Sequence, residues 1–127
     1  MPVKIEYSNE KKALYVTLTG QVSMEEFSKT IIDISESTNF SPDIRTLVDI
    51  RELDFSEINS DFLNELISLE KKNSKRIRAK VAYIADTDIN FAMSRMYQML
   101  SDDLPKTSMV FRDYAEGESW LLNKTDK

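Results

Sequence analysis

The sequence predicts a single α/β domain in which five strands form a mixed sheet and four helices pack on it. Two features support this class: a buried strand that passes through a polar turn into a helix, and the recurrence of that unit along the chain. The clearest unit begins with Arg45–Leu53, RTLVDIREL, where the apolar run Thr46–Ile50 is long enough to cross a buried sheet. Because this unit is the building block of α/β domains, we expect the order β-β-α-β-α-β-α-β-α.

The chain begins with two strands that we expect to form an antiparallel hairpin. Val3–Tyr7 alternates apolar and polar residues, and Leu14–Thr19 follows after a polar turn. Gly20 ends the second strand. Ser23 and Glu26 have the spacing of a capping box, in which each side chain binds a free backbone N–H at a helix start. The first helix therefore begins near Ser23 and has three apolar residues on one face: Phe27, Ile31 and Ile34.

The second helix is predicted from Ser56 to about Lys72, and its apolar face is wider than packing on one sheet requires. Its core stripe contains Ile58, Phe62, Leu66 and Leu69. Leu63 and Ile67 extend this stripe sideways. Large apolar surfaces tend to become interfaces, and closed two-fold dimers are their commonest form. We therefore expect a homodimer with Leu63, Ile67 and Phe91 in its interface.

The remaining elements complete the sheet and cover it. Lys80–Ala85 is a buried strand, and Asp88 is the predicted cap of the third helix. The third helix is predicted to turn one apolar face to the core, with Tyr97 and Met99 at its margins and Phe91 pointing away: Ile89, Ala92, Met93, Met96, Leu100 and Leu104. Pro105 ends this helix and Ser108–Phe111 is the last strand. A short helix after Asp113 is predicted to bring Trp120, Leu121 and Leu122 into the core. Together these elements predict one domain over residues 1–127, ordered from about 3 to 122.

The composition argues against several classes of partner. With 41% hydrophobic and 31% charged residues, the 127-residue chain is typical of a soluble globular domain. Its net charge of −5 disfavours binding to nucleic acid or to an anionic membrane. No apolar run approaches the roughly 20 residues that a membrane span needs, so we expect no stable membrane insertion. The first residues, MPVKIEYSNEKK, lack the apolar core of a signal peptide, and we therefore expect a cytoplasmic protein.

The chain contains neither cysteine nor histidine. Disulfides, thiol nucleophiles and thiolate metal sites are therefore impossible, and the commonest general base and metal ligand are missing. We expect no catalytic residues, no cofactor and no transition-metal site. Asp49, Asp86 and Asp88 could bind a divalent cation, but capping and turn roles explain them as well. For Asp49 in particular we expect a structural role, accepting hydrogen bonds from N–H groups of the following turn.

Several segments of the chain share residues with one known family. They are Leu47–Arg51, Ala92–Leu100 and Val110–Asp113 together with Trp120 and Leu121. With them the chain, from about Lys4 to Leu122, resembles the STAS domain superfamily of anti-sigma-factor antagonists, and especially its SpoIIAA-like branch of small bacterial proteins. This resemblance implies the element order given above and an architecture similar to the lipid-binding CRAL-TRIO fold. It also implies a regulatory or protein-interaction domain.

The resemblance fails at the regulatory motif of the classical STAS proteins. Those proteins place an Asp-Ser-Ser-Gly run at the start of the helix after the third strand, where a kinase phosphorylates a serine. Here the stretch reads Glu57-Ile58-Asn59-Ser60, with asparagine at the acceptor position. Ser56 and Ser60 remain as candidate phosphorylation sites, although each also suits a helix N-cap.

Three functions remain open on the sequence alone. The first is a non-enzymatic regulatory or protein-interaction domain of STAS type, whose partner would be another regulatory protein. The second is a binder or carrier of a small apolar, lipid-like ligand in a pocket beside the third helix, where methionines would provide an adaptable lining. The third is an enzyme that uses Arg51, Arg95 and Tyr97 with a carboxylate. The candidate binding residues are accordingly Arg51, Phe91, Arg95 and Tyr97.

Overall fold

The computed structural model describes residues 2–39, 41, 43–73, 79–104 and 106–123. The predicted helix stop at Pro105 lies outside these ranges. Five strands and four helices follow one another in the predicted order: β1 (Val3–Ser8), β2 (Ala13–Gly20), α1 (Met24–Glu36), β3 (Arg45–Leu53), α2 (Ser60–Asn73), β4 (Ala79–Ile84), α3 (Asp88–Leu100), β5 (Lys106–Phe111) and α4 (Tyr114–Leu122). No helix in the described ranges combines the length and apolar character that crossing a bilayer requires.

The strands lie side by side in chain order, β1-β2-β3-β4-β5. β1 pairs with β2 in antiparallel orientation, whereas β2, β3, β4 and β5 are mutually parallel. The three parallel crossovers all step in the same direction, and since such crossovers are right-handed, α1, α2 and α3 lie on one face of the sheet. α4 follows β5 and packs on β3, β4 and β5 from the other face. The predicted fold class is therefore confirmed.

The sheet separates two apolar cores. Leu14 and Val16 point to the face covered by α1, α2 and α3. Leu47 and Ile84 point to the opposite face, where they pack with Leu121 of α4. Because successive residues of a strand point to opposite faces, a central strand that is covered on both sides needs apolar residues at consecutive positions, which accounts for the continuous apolar run in β3.

Side-chain caps set the starts of the helices. The capping box predicted for α1 is confirmed: Ser23 accepts from the Glu26 N–H and the Glu26 side chain accepts from the Ser23 N–H. The prediction for α3 is wrong by one residue, because Thr87 and not Asp88 is the cap. The Thr87 hydroxyl accepts from the Asn90 N–H at 3.1 Å, which leaves Asp88 in the first turn.

α2 begins at Ser60 and not at Ser56, because the Asn59 side chain accepts from the Phe62 N–H and caps the helix there. Leu63 and Ile67 are 3% and 5% exposed and belong to the core of the single chain. The prediction that these two side chains lie on an uncovered helix surface is therefore wrong. The physical reason is that α2 has neighbours on both sides, α1 and α3, and that its inner side chains join the same core as the strand residues Val16 and Ile50.

The inner face of α3 is rotated from the predicted one, although Met93 and Met96 pack against the core and Leu104 is buried, as predicted. The buried residues of α3 are Asn90, Ser94 and Tyr97, whereas Ile89 and Leu100, both predicted to face the core, are 69% and 40% exposed. The helix is rotated because polar contacts, not apolar area, select its inner face. Asn90 is the clearest example: its amide donates to the carbonyls of Ile50 at 3.0 Å and Leu53 at 3.2 Å, which ties α3 to the end of β3.

Replacing Asn90 by alanine tests this tie. Asn90→Ala leaves two buried carbonyls without their donor, and we expect it to lower the free energy of unfolding by about 1–3 kcal/mol. Asn64→Ala, at an exposed position of α2, serves as the control and should change it by less than about 0.5 kcal/mol. Urea unfolding followed by circular dichroism measures both, and equal losses in the two variants would contradict the assigned role.

Candidate functional site

A cavity of about 180 Å³ lies between the sheet and the helices α1, α2 and α3. Its walls are mostly apolar, and every layer of this side of the domain contributes to them: Val48 and Val81 from the sheet, Ile31 from α1, Leu66 from α2 and Met93 from α3. An engineered apolar cavity of about 150 Å³ stays dry and binds benzene. This cavity therefore has the size and the lining that a small apolar molecule requires.

Four polar side chains from four different elements meet at the cavity wall: Glu70, Tyr83, Tyr97 and Lys106. We call them the Lys106 cluster. The Lys106 ammonium donates to Glu70 Oε2 at 3.2 Å, to Tyr83 Oη at 2.8 Å and to Tyr97 Oη at 2.6 Å. The Tyr97 hydroxyl in turn donates to Glu70 Oε1. The two phenol rings meet edge to face with their centroids 5.6 Å apart.

The cluster is shielded from water, because the side chains of Lys106 and Glu70 are only 12% and 18% exposed. Burial alone would lower the pKa of Lys106, but the adjacent Tyr83 and Glu70 outweigh it and raise that pKa above the ordinary value of 10.5. Burial raises the pKa of Tyr97 well above its ordinary value, and Tyr83 and Glu70 raise it further. At neutral pH the cluster therefore contains an ammonium group and a protonated Tyr97.

The positions of these residues follow from the periods of their elements. Glu70 lies on the same helical face as Leu63, Leu66 and Ile67, since residues three, four and seven apart share a face. Lys106 lies on the helix-covered face of β5, and Ser108 and Val110 follow it on the same face, because alternate residues of a strand share a face. Sequence analysis missed Glu70, Tyr83 and Lys106. The signal that could have revealed the site was Glu70, a charged residue on the same face as the apolar residues of α2.

Of the four predicted binding residues, only Tyr97 lies at the cavity. Arg51 lies across the sheet, where its guanidinium stacks on the ring of Tyr114 at 5.2 Å and binds both carboxylate oxygens of Asp49 at 2.9 and 2.8 Å. Asp49 also accepts from the Arg51 N–H at 3.2 Å, within β3 and not from the following turn. Burial favours a raised pKa for Asp49, but the hydrogen bonds from Arg51 outweigh it and lower the pKa, which stabilises the charged carboxylate.

The other two predicted binding residues do not reach the cavity cluster either. Phe91 is half-buried against the core, contrary to the expectation that it points away, and the Arg112 guanidinium covers its ring at 4.7 Å. Arg95 is exposed on α3. The four residues therefore do not form one site, because the sheet separates Arg51 from Tyr97 and the rotation of α3 turns Arg95 outward.

The candidate phosphorylation residues lie near the start of α2, and the candidate metal ligand Asp88 lies at the start of α3. Ser56 and Ser60 are exposed, and Asn59, at the position of the classical acceptor, caps α2. Asp88 pairs with Arg112 at 2.8 Å. In the part of the chain that the structure describes, no group of three or more acidic side chains is placed to hold a metal ion.

Comparison with known proteins identifies the fold. No family model and no curated protein matches the chain. Among solved structures it matches an uncharacterized protein of the DUF3478 family from Shewanella loihica PV-4, which is described as having a SpoIIAA-like fold. The match covers 94% of this chain and 91% of that one, with a TM-score of 0.62 and 21% sequence identity. The SpoIIAA-like fold implied by the sequence resemblance is thus confirmed, and at this identity the match shows the fold alone.

The ion pair within the Lys106 cluster can be tested by removing one partner and then both. Lys106→Met leaves the Glu70 carboxylate buried without its cation, and we expect a loss of about 3–5 kcal/mol in the free energy of unfolding. The double variant Glu70→Leu/Lys106→Met should recover most of this loss, because two apolar side chains leave no unpaired charge. Urea unfolding measures both variants; equal stabilities of the single and double variants would contradict the assignment.

The raised pKa of Lys106 predicts a pH dependence of stability. A folded-state pKa above the unfolded value of 10.5 means that the stabilisation is fully present below 10.5. It falls as the pH rises from there through the folded-state pKa, because the folded protein retains a proton that the unfolded chain releases. The stability difference between wild type and the Glu70→Leu/Lys106→Met variant should therefore stay constant from neutral pH up to 10.5 and shift in favour of the variant above it.

Proposed function

We propose that this protein binds a small, largely apolar molecule in the cavity beside α3 and that it does so without catalysis. The observation that carries the proposal is the cavity itself. Protein interiors contain few voids larger than a water molecule. A cavity of about 180 Å³ that is lined almost entirely by apolar side chains and is partly open to the surface leaves those side chains without packing partners on one side. A bound apolar molecule would supply these contacts, which favours a binding site over a packing defect.

The Lys106 cluster supports binding over reaction. A lysine nucleophile must be neutral, whereas the hydrogen bonds and charge around Lys106 favour its ammonium form. The three residues suggested for an enzyme, Arg51, Arg95 and Tyr97, lie apart. The cluster is therefore suited to orient a ligand and not to transform it.

A regulatory role of STAS type is compatible with this proposal. The SpoIIAA-like fold supports a STAS-type domain, and ligand occupancy would supply the signal that phosphorylation supplies in the classical proteins. Asn59 cannot accept a phosphate in the way that a serine does, and its side chain already caps α2. A ligand-controlled domain thus fits the residues better than a phosphorylation switch.

α1 is the wall through which we expect the ligand to enter. It contributes Phe27, Ile31 and Ile34 to the cavity, yet none of its residues is fully buried. Elements with few buried apolar contacts open at the lowest free energy. The cavity is already partly open to the surface, and movement of α1 away from α2 would widen this opening while leaving the sheet and α3 in place.

Filling the cavity should abolish binding. The neutral fluorescent probe N-phenylnaphthylamine is expected to bind the wild type and raise its melting temperature, as ligands of the native state do. Val48→Phe on the sheet, and Ile31→Trp on the opposite wall, should lose both effects because the added side chains occupy the cavity. Met99→Phe, on the exposed side of α3, is the matched control and should bind normally. Unchanged probe binding in the two filled variants, with native circular dichroism, would rule out the cavity.

The homodimer stays a prediction, but the surface that we expect to form its interface is now on α3 and not on α2. Ile89, Met99 and Leu100 form an exposed apolar stripe on α3, at 69%, 68% and 40% exposure, whereas Leu63 and Ile67 are covered. If two copies associate, we expect this stripe to form the contact, because self-complementary two-fold contacts are the commonest. Ile89→Asp/Met99→Asp should then halve the mass measured by light scattering, while Ala115→Asp on α4 should not. A monomeric wild type at high micromolar concentration would exclude the dimer.

A further inference from the structure

The charges at the cavity cancel one another. Among the described residues that line it, Glu70 and Lys106 are the only charged side chains, and they pair with each other at 3.2 Å. Tyr83 and Tyr97 add hydroxyl groups but no charge. The cavity wall as described is therefore electrically neutral before any ligand binds.

A charged head group would find no partner in this wall. All three protons of the Lys106 ammonium are already donated, to Glu70, Tyr83 and Tyr97. A ligand carboxylate or phosphate would have to displace one of these acceptors and would lie beside the Glu70 carboxylate. An ammonium head group would be repelled by the Lys106 ammonium, and the Glu70 carboxylate that could pair with it is already bound to Lys106. Burying an unpaired charge is strongly unfavourable, so the cavity disfavours ionic ligands of either sign.

The hydroxyl groups of the wall leave one donor for a ligand. Four of them donate to backbone carbonyls: Thr30, Ser35, Thr46 and Ser94. Tyr97 donates to Glu70. Tyr83 accepts from Lys106, and among the described residues its own hydroxyl lies beside that of Tyr97, which already accepts from Lys106 and donates to Glu70. An acceptor on a ligand would therefore compete with a single, already engaged oxygen for the Tyr83 hydrogen.

We infer that the ligand is a neutral amphiphile whose acceptor oxygen, as in a ketone or an ester, binds the Tyr83 hydroxyl while its apolar part fills the cavity. The inference rests on the proposed binding function and names the chemical class of the ligand. Polarisation strengthens the contact, because the Lys106 ammonium donates to the Tyr83 oxygen and makes its hydrogen a better donor. The apolar part would lie against Val48, Leu66 and Met93.

Three probes of equal carbon number separate the possibilities: octane, methyl hexyl ketone and octanoate. Their affinities are measured at neutral pH by displacement of N-phenylnaphthylamine. We expect the ketone to bind more tightly than octanoate, and Tyr83→Phe to weaken the ketone about three- to tenfold, the value of one net hydrogen bond. Octane should bind Tyr83→Phe as it binds the wild type, which shows that the cavity survives the substitution.

The matched control is Tyr15→Phe. Tyr15 donates to Glu118 at 2.7 Å on the opposite face of the sheet, so the control also loses a phenol hydroxyl and a hydrogen bond, and it should bind all three probes normally. Tighter binding of octanoate than of the ketone, or equal weakening of octane and ketone by Tyr83→Phe, would overturn the inference and leave apolar binding intact. Failure of every compound, N-phenylnaphthylamine included, to bind the wild type would instead refute the proposed function.

Discussion

The ion pair between Lys106 and Glu70 is the interaction on which this side of the molecule depends. It joins the start of β5 to the last turns of α2, and through the two tyrosines it also holds β4 and α3. A buried ion pair is stable only when its remaining hydrogen-bonding groups are satisfied, and Tyr83 and Tyr97 supply most of what is needed. The cluster thus holds four elements together at the wall of the cavity.

The two faces of the sheet show opposite solutions to packing. On the α4 side, Gly117 lets the helix approach so closely that a Cβ atom there would lie 2.3 Å from Ile84 Cδ1. On the other side three helices surround a cavity, and α1 covers it without a single fully buried residue. The cavity therefore lies on the less closely packed face, which is the face that the proposed ligand would enter.

The rotation of α3 connects the fold to the proposed site. Asn90 binds the carbonyls at the end of β3, and Tyr97, two turns later on the same face, reaches the Lys106 cluster. These polar anchors place the apolar residues Ile89 and Leu100 outside. A helix oriented by apolar area alone would have buried those residues and displaced Tyr97, and the cavity would have lost its polar wall. The satisfaction of polar groups, and not hydrophobic burial, therefore decides which face this helix turns toward the cavity.

The sequence by itself determined the order of strands and helices and the capping box at Ser23, because these depend on periodicity and on residues close together in the chain. The SpoIIAA-like fold was indicated by the resemblance of several segments to that family. Only the tertiary structure decided the phase of α3 and the composition of the site. Glu70, Tyr83 and Lys106 come from three elements, and each alone resembles an ordinary surface or core residue. Burial and mutual hydrogen bonds give them their chemistry, and both arise only when the sheet brings α2, β4 and β5 together.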